Sequence, residues 1–457
     1  NRRVAMRPLT LILCLAHVVS TLHVPSYSCS KTPSLGVGGH CVYHHALCHD
    51  FGSNVVVIDN SKEHGDPIKE YESCGRDPDD ETFRPHLCFA RVGDVDGLPF
   101  QSFLHGTWAS SRVLEGDNIR WLKGRTLLPG LDGAAGNIVH FAMNVIPGWS
   151  YLRHNPSYTF DNVVWNYPAE WVQDFKEWQT NVSETALGTA QRFLALEDLD
   201  VIRGNGTLVC FEEAVVTGAD NAVFQGPEDA EVFRRQVGAR HNISLTRAGL
   251  AAALLHAQLH GVAPAGITFV TRPQDRPIRN EPELLLAIAT ATGREVTVAD
   301  FGRLSFREQL QVMGRTAVLI GRHGAGLVNV IFMPASTALV EISAPGCQHN
   351  AFPPIAMASG HFHYHYVAEA TTAVFDPVAL QHGMDRWSSA ACLSTVCANF
   401  CRDISIEVNV EHVVKIVTMA VDATLAFYGS AGSADGYERT PMAPMGFVLD
   451  DDDRFRR

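Results

Sequence analysis

From Ile267 to Val367 the chain repeats one pattern: a short apolar run, a break, then a segment with helical spacing. Ile267–Thr271, Glu295–Val298, Ala317–Ile320, Ala338–Ile342 and Phe362–Val367 read as strands. Glu281–Thr292 reads as a helix with Leu284, Leu285 and Ile288 on one face. Ser305-Phe306-Arg307-Glu308 is a capping box, which opens a second helix running through Met313. Strands alternating with helices at this spacing predict a parallel sheet with Rossmann-like topology.

Within that repeat, Ala317–Ile320 breaks at Gly321 into Arg322-His323-Gly324-Ala325-Gly326, and the pattern resumes at Leu327-Val328-Asn329. A buried strand running into a small-residue turn and a helix start places backbone N–H groups against a phosphate. Gly324 and Gly326 lack a Cβ and admit a ligand close to the backbone. In an open parallel sheet, ligands bind outside the carboxyl ends of the strands. Arg272 leaves one strand end and Arg276 sits in its loop; Arg322 and His323 leave another; Glu341 lies near the end of the next. Cationic side chains and N–H groups on one edge suit a diphosphate, and a buried carboxylate nearby suits ribose hydroxyls. Together they form a constellation for a nucleotide diphosphate.

The first half is harder to read. Asn54–Ile58 and Leu208–Val216 are strands by composition. Gly136-Asn137-Ile138-Val139-His140-Phe141-Ala142-Met143-Asn144 opens a helix, and His140 and Asn144, four apart, share one face. Residues 150–200 are aromatic and irregular, either lining an acceptor groove or forming core. Residues 226–257 read as one or two helices, and Gly261–Pro264 as a linker. Residues 26–50 read as a disulfide-tied entry segment with exposed histidines, 60–86 as a long surface connection, and Gly93–Gly97 as a turn rather than a metal-diphosphate motif. His361, His363 and His365 alternate, so they share one strand face, read as wetted rather than as a metal site. Asn409–Phe427 is one long helix with apolar positions at Val410, Val413, Val414, Val417, Val421 and Leu425.

A length of 457 residues suggests two or three domains, and 46% hydrophobic residues allow an ample core. A formal charge of -13 argues against nucleic acid as a partner. Arg2, Arg3 and Arg7 precede the apolar run Leu9–Val19, too short for a comfortable membrane span of about twenty residues. Residues 1–25 read as a signal peptide or signal anchor, with membrane contact through this segment alone. Of eleven cysteines one, Cys14, lies in that run; the remainder suggest disulfides in an oxidising compartment. Sequons at Asn181, Asn205 and Asn242 fit the same route. Asp450–Asp453 belongs to a solvated tail.

Arg272-x3-Arg276-x3-Asn280-Glu281, then Ser305-Phe306-x-Glu308-Gln309, then Gly321-Arg322-His323-Gly324-Ala325-Gly326-Leu327-x-Asn329 and Val340-Glu341-Ile342 resemble glycosyltransferase family 61 in order and spacing. Gly136-Asn137-x-x-His140 and Cys210–Val216 are similar as well, so the resemblance covers roughly residues 125–370. That family includes plant xylan and N-glycan pentosyltransferases and animal O-linked GlcNAc-transferases of the endoplasmic reticulum. The resemblance implies an α/β chain of GT-B type, two Rossmann-like domains facing across a cleft. It also implies an inverting transfer from a nucleotide sugar, with UDP the expected nucleotide, to a glycan or glycoprotein hydroxyl. No metal and no other cofactor is expected, and the Golgi or endoplasmic reticulum lumen is the expected location, with type II anchoring an option.

The corresponding division is an acceptor-side domain over 26–260, a donor-side domain over 261–405, a helix over 406–430, and a polar tail over 431–457. The helix is expected to cross back onto the N-terminal domain. The implied donor site comprises Arg272, Arg276, Asn280, Arg322, His323, Gly324, Ala325, Gly326, Asn329 and Glu341. An inverting transfer also needs a base. Family members carry Asp four residues past the histidine of the upstream helix, where this chain has Asn144. An amide cannot accept the proton, so either His140 is the base, or a carboxylate elsewhere is, or the chain is a divergent or weak enzyme; the alternative is a non-catalytic carbohydrate- or nucleotide-sugar-binding relative. A dinucleotide oxidoreductase and a hydrolase lack their motifs.

Overall fold

The structure is a computed structural model. It describes residues 26–31, 39–49, 54–58, 105–109, 119–129, 137–165, 175–188, 192–203, 208–217, 223–259, 266–272, 276–344, 351–369, 404–429, 446–449 and 455–456. The leader, the 60–86 connection, Gly93–Gly97, the Asn205 sequon, the Gly261–Pro264 linker and the acidic tail lie outside these residues.

Two sheets organise the chain. The first contains β1 (Ser26–Lys31), β2 (Gly39–His49), β3 (Asn54–Ile58), β4 (His105–Ala109), β5 (Ile119–Leu128), β6 (Asn162–Trp165), β7 (Arg192–Ala195) and β8 (Leu208–Thr217). Its order is β4-β3-β2-β8-β5-β6-β7, with β1 paired to β2. The β5, β6, β7 and β8 pairings are parallel, whereas β2 runs antiparallel to its neighbours β1, β3 and β8. Residues 26–50, expected as an entry segment, thus contribute two strands. The disulfide expectation holds at Cys48–Cys210, which are register partners on β2 and β8.

The second sheet contains β9 (Ile267–Val270), β10 (Val296–Ala299), β11 (Val318–Arg322), β12 (Ala338–Ser343), β13 (Phe362–Val367), β14 (Gly446–Leu449) and β15 (Phe455–Arg456). Its order is β10-β9-β11-β12-β13-β14-β15, parallel throughout except for the last pair. The parallel sheet expected for this half is therefore present, within a mixed α/β chain.

Nine α-helices complete the frame among the described residues: α1 (Ile138–His154), α2 (Glu177–Leu187), α3 (Leu196–Arg203), α4 (Pro227–His241), α5 (Arg247–Leu259), α6 (Glu281–Thr292), α7 (Phe306–Met313), α8 (Phe352–Ala358) and α9 (Val410–Gly429). Caps explain several boundaries. The Asn137 side chain accepts from the Val139 amide at 3.0 Å and starts α1. The Ser305 hydroxyl accepts from the Glu308 amide, while the Glu308 carboxylate accepts from the Ser305 amide at 2.9 Å, closing the expected capping box. Asn242, left-handed at φ 54°, ends α4 and separates it from α5.

Successive strand residues point to opposite faces. Val318 and Ile320 join one core with α6 and α9, whereas Leu319 joins another. In the first sheet Val163 and Trp165 face that second core, and Val164 faces a third, with Leu199 of α3. The second core runs between the sheets, through Phe141, Trp149, Trp178, Phe233, Phe306, Phe332 and Ile355. The irregular aromatic stretch is thus largely core where it is described. At about 25 cal/mol per Å² of buried apolar surface, this layer joins the two sheets into one apolar interior.

Helix α9 lies on the second sheet and on α6, burying Val413, Ile416, Val417 and Val421 there. Among the described residues, the expected crossing back onto the first half is seen at its last turn, where Arg247 of α5 sits 5.0 Å above the Phe427 ring. The apolar stripe is continuous along the helix, so most of its length is committed to its own sheet. No helix among the described residues is long and apolar enough to cross a membrane.

Candidate donor-binding site at the Gly324 turn

Val270, Gly321, Glu341 and His365 lie in register across β9, β11, β12 and β13. Parallel pairing therefore brings four strand ends to one edge, as the position of ligands in such sheets requires. Beyond β11 the chain turns at His323-Gly324 into a 3-10 helix, Ala325–Phe332, rather than an α-helix. Its first N–H groups have no intrahelical partners and carry the positive end of the helix dipole.

Two guanidinium groups cover this turn. A Cβ placed on Gly324 would run into the Nη1 atoms of both Arg272 and Arg276. A side chain here would push both guanidinium groups off the turn. Arg276 Nη1 donates to the His323 carbonyl at 2.6 Å. Arg276 itself is left-handed at φ 79°. That conformation costs a non-glycine residue about 1–3 kcal/mol and clusters at functional sites. The result is a concentrated positive field at a glycine turn and a helix N-terminus.

His323 stands at the lip of the turn with its side chain 21% exposed. Its Nδ1 is hydrogen-bonded to Glu341 Oε1, and its ring meets Phe352 edge-on at 5.2 Å. The other Glu341 oxygen takes a 2.8 Å bond from His363 Nε2. Burial alone would raise the Glu341 carboxyl, but the hydrogen bonds from His323 and His363 win, and it is held well below the usual carboxylate range. Each carboxylate oxygen is thus engaged by one imidazole.

The alternating histidines of β13 form a ladder with β12. His361 Nδ1 meets Thr337 Oγ1 at 2.9 Å, His363 meets Glu341, and His365 Nε2 meets Ser343 Oγ at 2.8 Å. His361 and His363 are only 4% and 2% exposed, so the face expected to be wetted is a buried polar seam. Burial depresses His365, and burial together with Arg234 depresses His361 strongly.

The predicted donor residues divide into two groups. Arg272, Arg276, His323, Gly324, Ala325 and Gly326 gather at the turn. The others support it. Arg322 is buried, shares its strand face with Val318 and Ile320, and reaches the Pro277 carbonyl at 3.4 Å. Asn280 brackets Val408, donating to its carbonyl at 2.9 Å and accepting from its amide at 3.0 Å. Asn329 donates to the Gly326 carbonyl and accepts from Trp178 Nε1 at 3.1 Å. On α1, which packs against the 3-10 helix, His140 is half-buried in the first turn and Asn144 is fully buried one turn on.

Sequence reading missed Trp178, His363 and Ser343 as partners of the site, because pairing across strands depends on register. It also missed Thr271 Oγ1, which donates to Glu281 Oε1 at 2.7 Å beside Arg272. Burial raises the Glu281 carboxyl, and the Thr271 bond offsets part of that.

A parallel α/β sheet whose carboxyl edge concentrates cations on a glycine turn is an arrangement suited to an anion. Residues 139–340 match the family model described as Glycosyltransferase 61, so this stretch carries that family's pattern, as its motifs indicated. The EGF domain-specific O-linked N-acetylglucosamine transferase of Bos taurus is 27% identical over 164 residues, 32% of this chain and 29% of that protein. The protein O-linked-mannose beta-1,4-N-acetylglucosaminyltransferase 2 of Danio rerio is 32% identical over 83 residues, 18% of this chain and 14% of its own. The chain thus spans less than a third of the length of these relatives. Among solved structures, a glycosyl transferase family 9 protein from Veillonella parvula aligns with 66% of this chain and 98% of its own at 12% identity and a TM-score of 0.27, and nothing below rests on it.

Proposed function

We propose that this chain is a glycosyltransferase that binds a nucleotide sugar at the Gly324 turn, with UDP as the nucleotide, and transfers the sugar with inversion to a glycan or glycoprotein hydroxyl. The observation that carries the reading is the pair of guanidinium groups, Arg272 and Arg276, covering Gly324 at the start of a 3-10 helix. A departing diphosphate needs its charge neutralised, and preorganised cations and N–H groups do this without a metal. The family match over 139–340 and the transferase names of the relatives support the same chemistry. A GT-B arrangement would bring the acceptor from the α1 side, where His140 is the candidate base. The Cys48–Cys210 bridge supports a lumenal site of action.

A second reading is a relative that binds the donor without transfer. It is favoured by Asn144, an amide fully buried where the family carries a carboxylate. The test is thermal stabilisation of the purified protein by UDP, GDP, UDP-sugars and NAD, with and without EDTA, repeated on Arg276→Ala. Stabilisation by UDP that survives EDTA and disappears in the variant is expected, with hydrolysis of one UDP-sugar naming the donor. UDP binding without hydrolysis or transfer would select the second reading. No response to any nucleotide would remove the active transferase and leave a non-catalytic carbohydrate-binding relative.

A further inference from the structure

We infer that Asn242, and not Asn181, is a site of N-linked glycosylation: the turn Asn242-Ile243-Ser244, with its asparagine and serine exposed, takes an oligosaccharide on Asn242 Nδ2. This rests on the lumenal reading above and not on the donor site.

An N-linked site needs Asn-x-Ser/Thr at the surface, because the added group is bulky and polar. Asn181 and Asn242 both satisfy the pattern, and the fold treats them in opposite ways. Asn181 lies in the middle of α2, half-buried, with its Nδ2 donating to the Glu177 carbonyl at 2.7 Å. The serine of its sequon, Ser183, is 4% exposed and donates to the Thr180 carbonyl at 3.0 Å. Residues two apart on a helix do not face each other, so this hydroxyl is turned away from the amide. A glycan on Asn181 would have to fit against the packing of α2 on α1 and α4.

Asn242 sits where α4 ends. Its backbone N–H bonds to the Ala239 carbonyl, and the Ile243 N–H bonds to the Gly238 carbonyl at 2.9 Å, a Schellman closure with Asn242 left-handed. The turn sorts the three residues. Ile243 packs onto the core between the sheets, whereas Asn242 and Ser244 on either side of it are exposed. The left-handed backbone accounts for an asparagine here, but not for the serine two residues on. The cap of α5 is Thr246, which accepts from the Gly249 amide at 3.2 Å. Ser244 precedes that cap, its hydroxyl 3.2 Å from that of Thr246.

The location suits a bulky group. The Ser244 carbonyl lies against Gly314, where an added Cβ would come within 2.7 Å of it. Gly314 closes α7 just ahead of β11, so the sequon stands at the amino ends of the strands. The Gly324 turn is at their carboxyl ends. The five residues of β11, at about 3.3 Å each, separate the two edges by roughly 15 Å. A glycan on Asn242 therefore grows from the edge away from the donor site. In the transfer, Nδ2 attacks the anomeric carbon of a lipid-linked oligosaccharide diphosphate held by an oligosaccharyl-transferring enzyme. The C–N bond forms as the C–O bond to the diphosphate breaks. Nδ2 gives one proton to a base of that enzyme, and the lipid diphosphate leaves with the bonding electrons.

The experiment is peptide mapping of the full chain expressed in eukaryotic cells. Enzymatic release of N-glycans in heavy-oxygen water converts a modified asparagine to labelled aspartate, and the same map reports the Cys48–Cys210 bridge. A labelled Asn242 beside an unlabelled Asn181 is expected. Ser244→Ala, which keeps Asn242 as the helix cap, is expected to abolish the label at Asn242. An unlabelled Asn242 in a chain that carries the bridge overturns the inference and leaves the lumenal reading intact. A labelled Asn181, alone or together with Asn242, overturns the selection by the fold. A label that persists in Ser244→Ala is not directed by the sequon and overturns the inference as well. A chain with neither bridge nor label removes the lumenal reading, and the inference with it.

Discussion

The two sheets of this protein handle polar chemistry in opposite ways. In the second sheet, parallel β9, β11, β12 and β13 end together, so side chains just past their ends share one edge, and the gaps between strands hold a buried His–Glu seam. In the first sheet, β2 runs against its neighbours and is bonded to β8 by a disulfide. Carboxyl ends there do not all gather on one side. A sheet whose strands agree in direction builds a charged site from residues far apart in sequence, whereas one of mixed direction supplies a frame. The comparison makes a prediction: polar substitutions matter most on the second sheet, and covalent ones on the first.

The largest effect is expected at Glu341. Glu341→Ala leaves His323 and His363 facing a buried space without their acceptor, and breaking a buried pair of this kind costs about 3–5 kcal/mol. Urea denaturation followed by circular dichroism reads this directly; a loss below about 1 kcal/mol would make the seam no stronger than a surface pair. Because the folded carboxyl is held below its unfolded value, its stabilisation is present above about pH 4.3 and drains as pH falls towards the folded value. Glu341→Gln should flatten that acid limb. On the first sheet, replacing Cys48 and Cys210 together by alanine should cost about 2–4 kcal/mol, with little change in UDP affinity, because the bridge lies across β2 and β8 and not at the turn.

What the sequence revealed follows the same division. Regular alternation made β9 to β13 legible, down to the Ser305 capping box and the span of α6, whereas β14 and β15 lie in the stretch read as a polar tail. The glycine turn stood out because Gly324 and Gly326 directly follow a short apolar strand, with Arg322 and His323 beside them. The support beneath it did not. His361, His363 and His365 showed their period but not the strand they would face, and Glu341 was read as a buried carboxylate without its imidazole partners, because register is a property of two strands. In the first half, β1 and β2 were hidden because their composition is that of loops, with histidines, cysteines and glycines throughout. Trp178 reads as lining an acceptor groove or as core, and its spatial neighbour Asn329 reveals the polar use of its indole.

An intermediate effect is expected at Gly324. Gly324→Ala displaces the Nη1 groups of Arg272 and Arg276 from the turn. Hydrogen bonds to charged groups contribute about 1.5–3 kcal/mol, so UDP affinity should fall roughly ten- to a hundredfold. The unfolding midpoint should move far less than in Glu341→Ala. Equal affinities for wild type and variant would place the anion elsewhere and end the claim that this turn is the cradle.

The smallest effect tests one of the polar contacts between the two halves. Trp178, on α2, donates its indole N–H to Asn329, and Asn329 in turn holds the Gly326 carbonyl in the first turn of the 3-10 helix. Trp178→Phe keeps most of the ring among Phe141, Phe306 and Phe332 but removes the donor. The loss of that bond should cost about 1 kcal/mol, with an added packing loss from the smaller ring. If the bond only fastens the halves together, UDP affinity is unchanged. If it also sets the aim of the Gly326 backbone, affinity falls along with stability, and Asn329→Asp should show the same affinity loss. That variant keeps the acceptor for Trp178 but loses the amide donor to Gly326, so its comparison with Trp178→Phe separates the joint from the cradle.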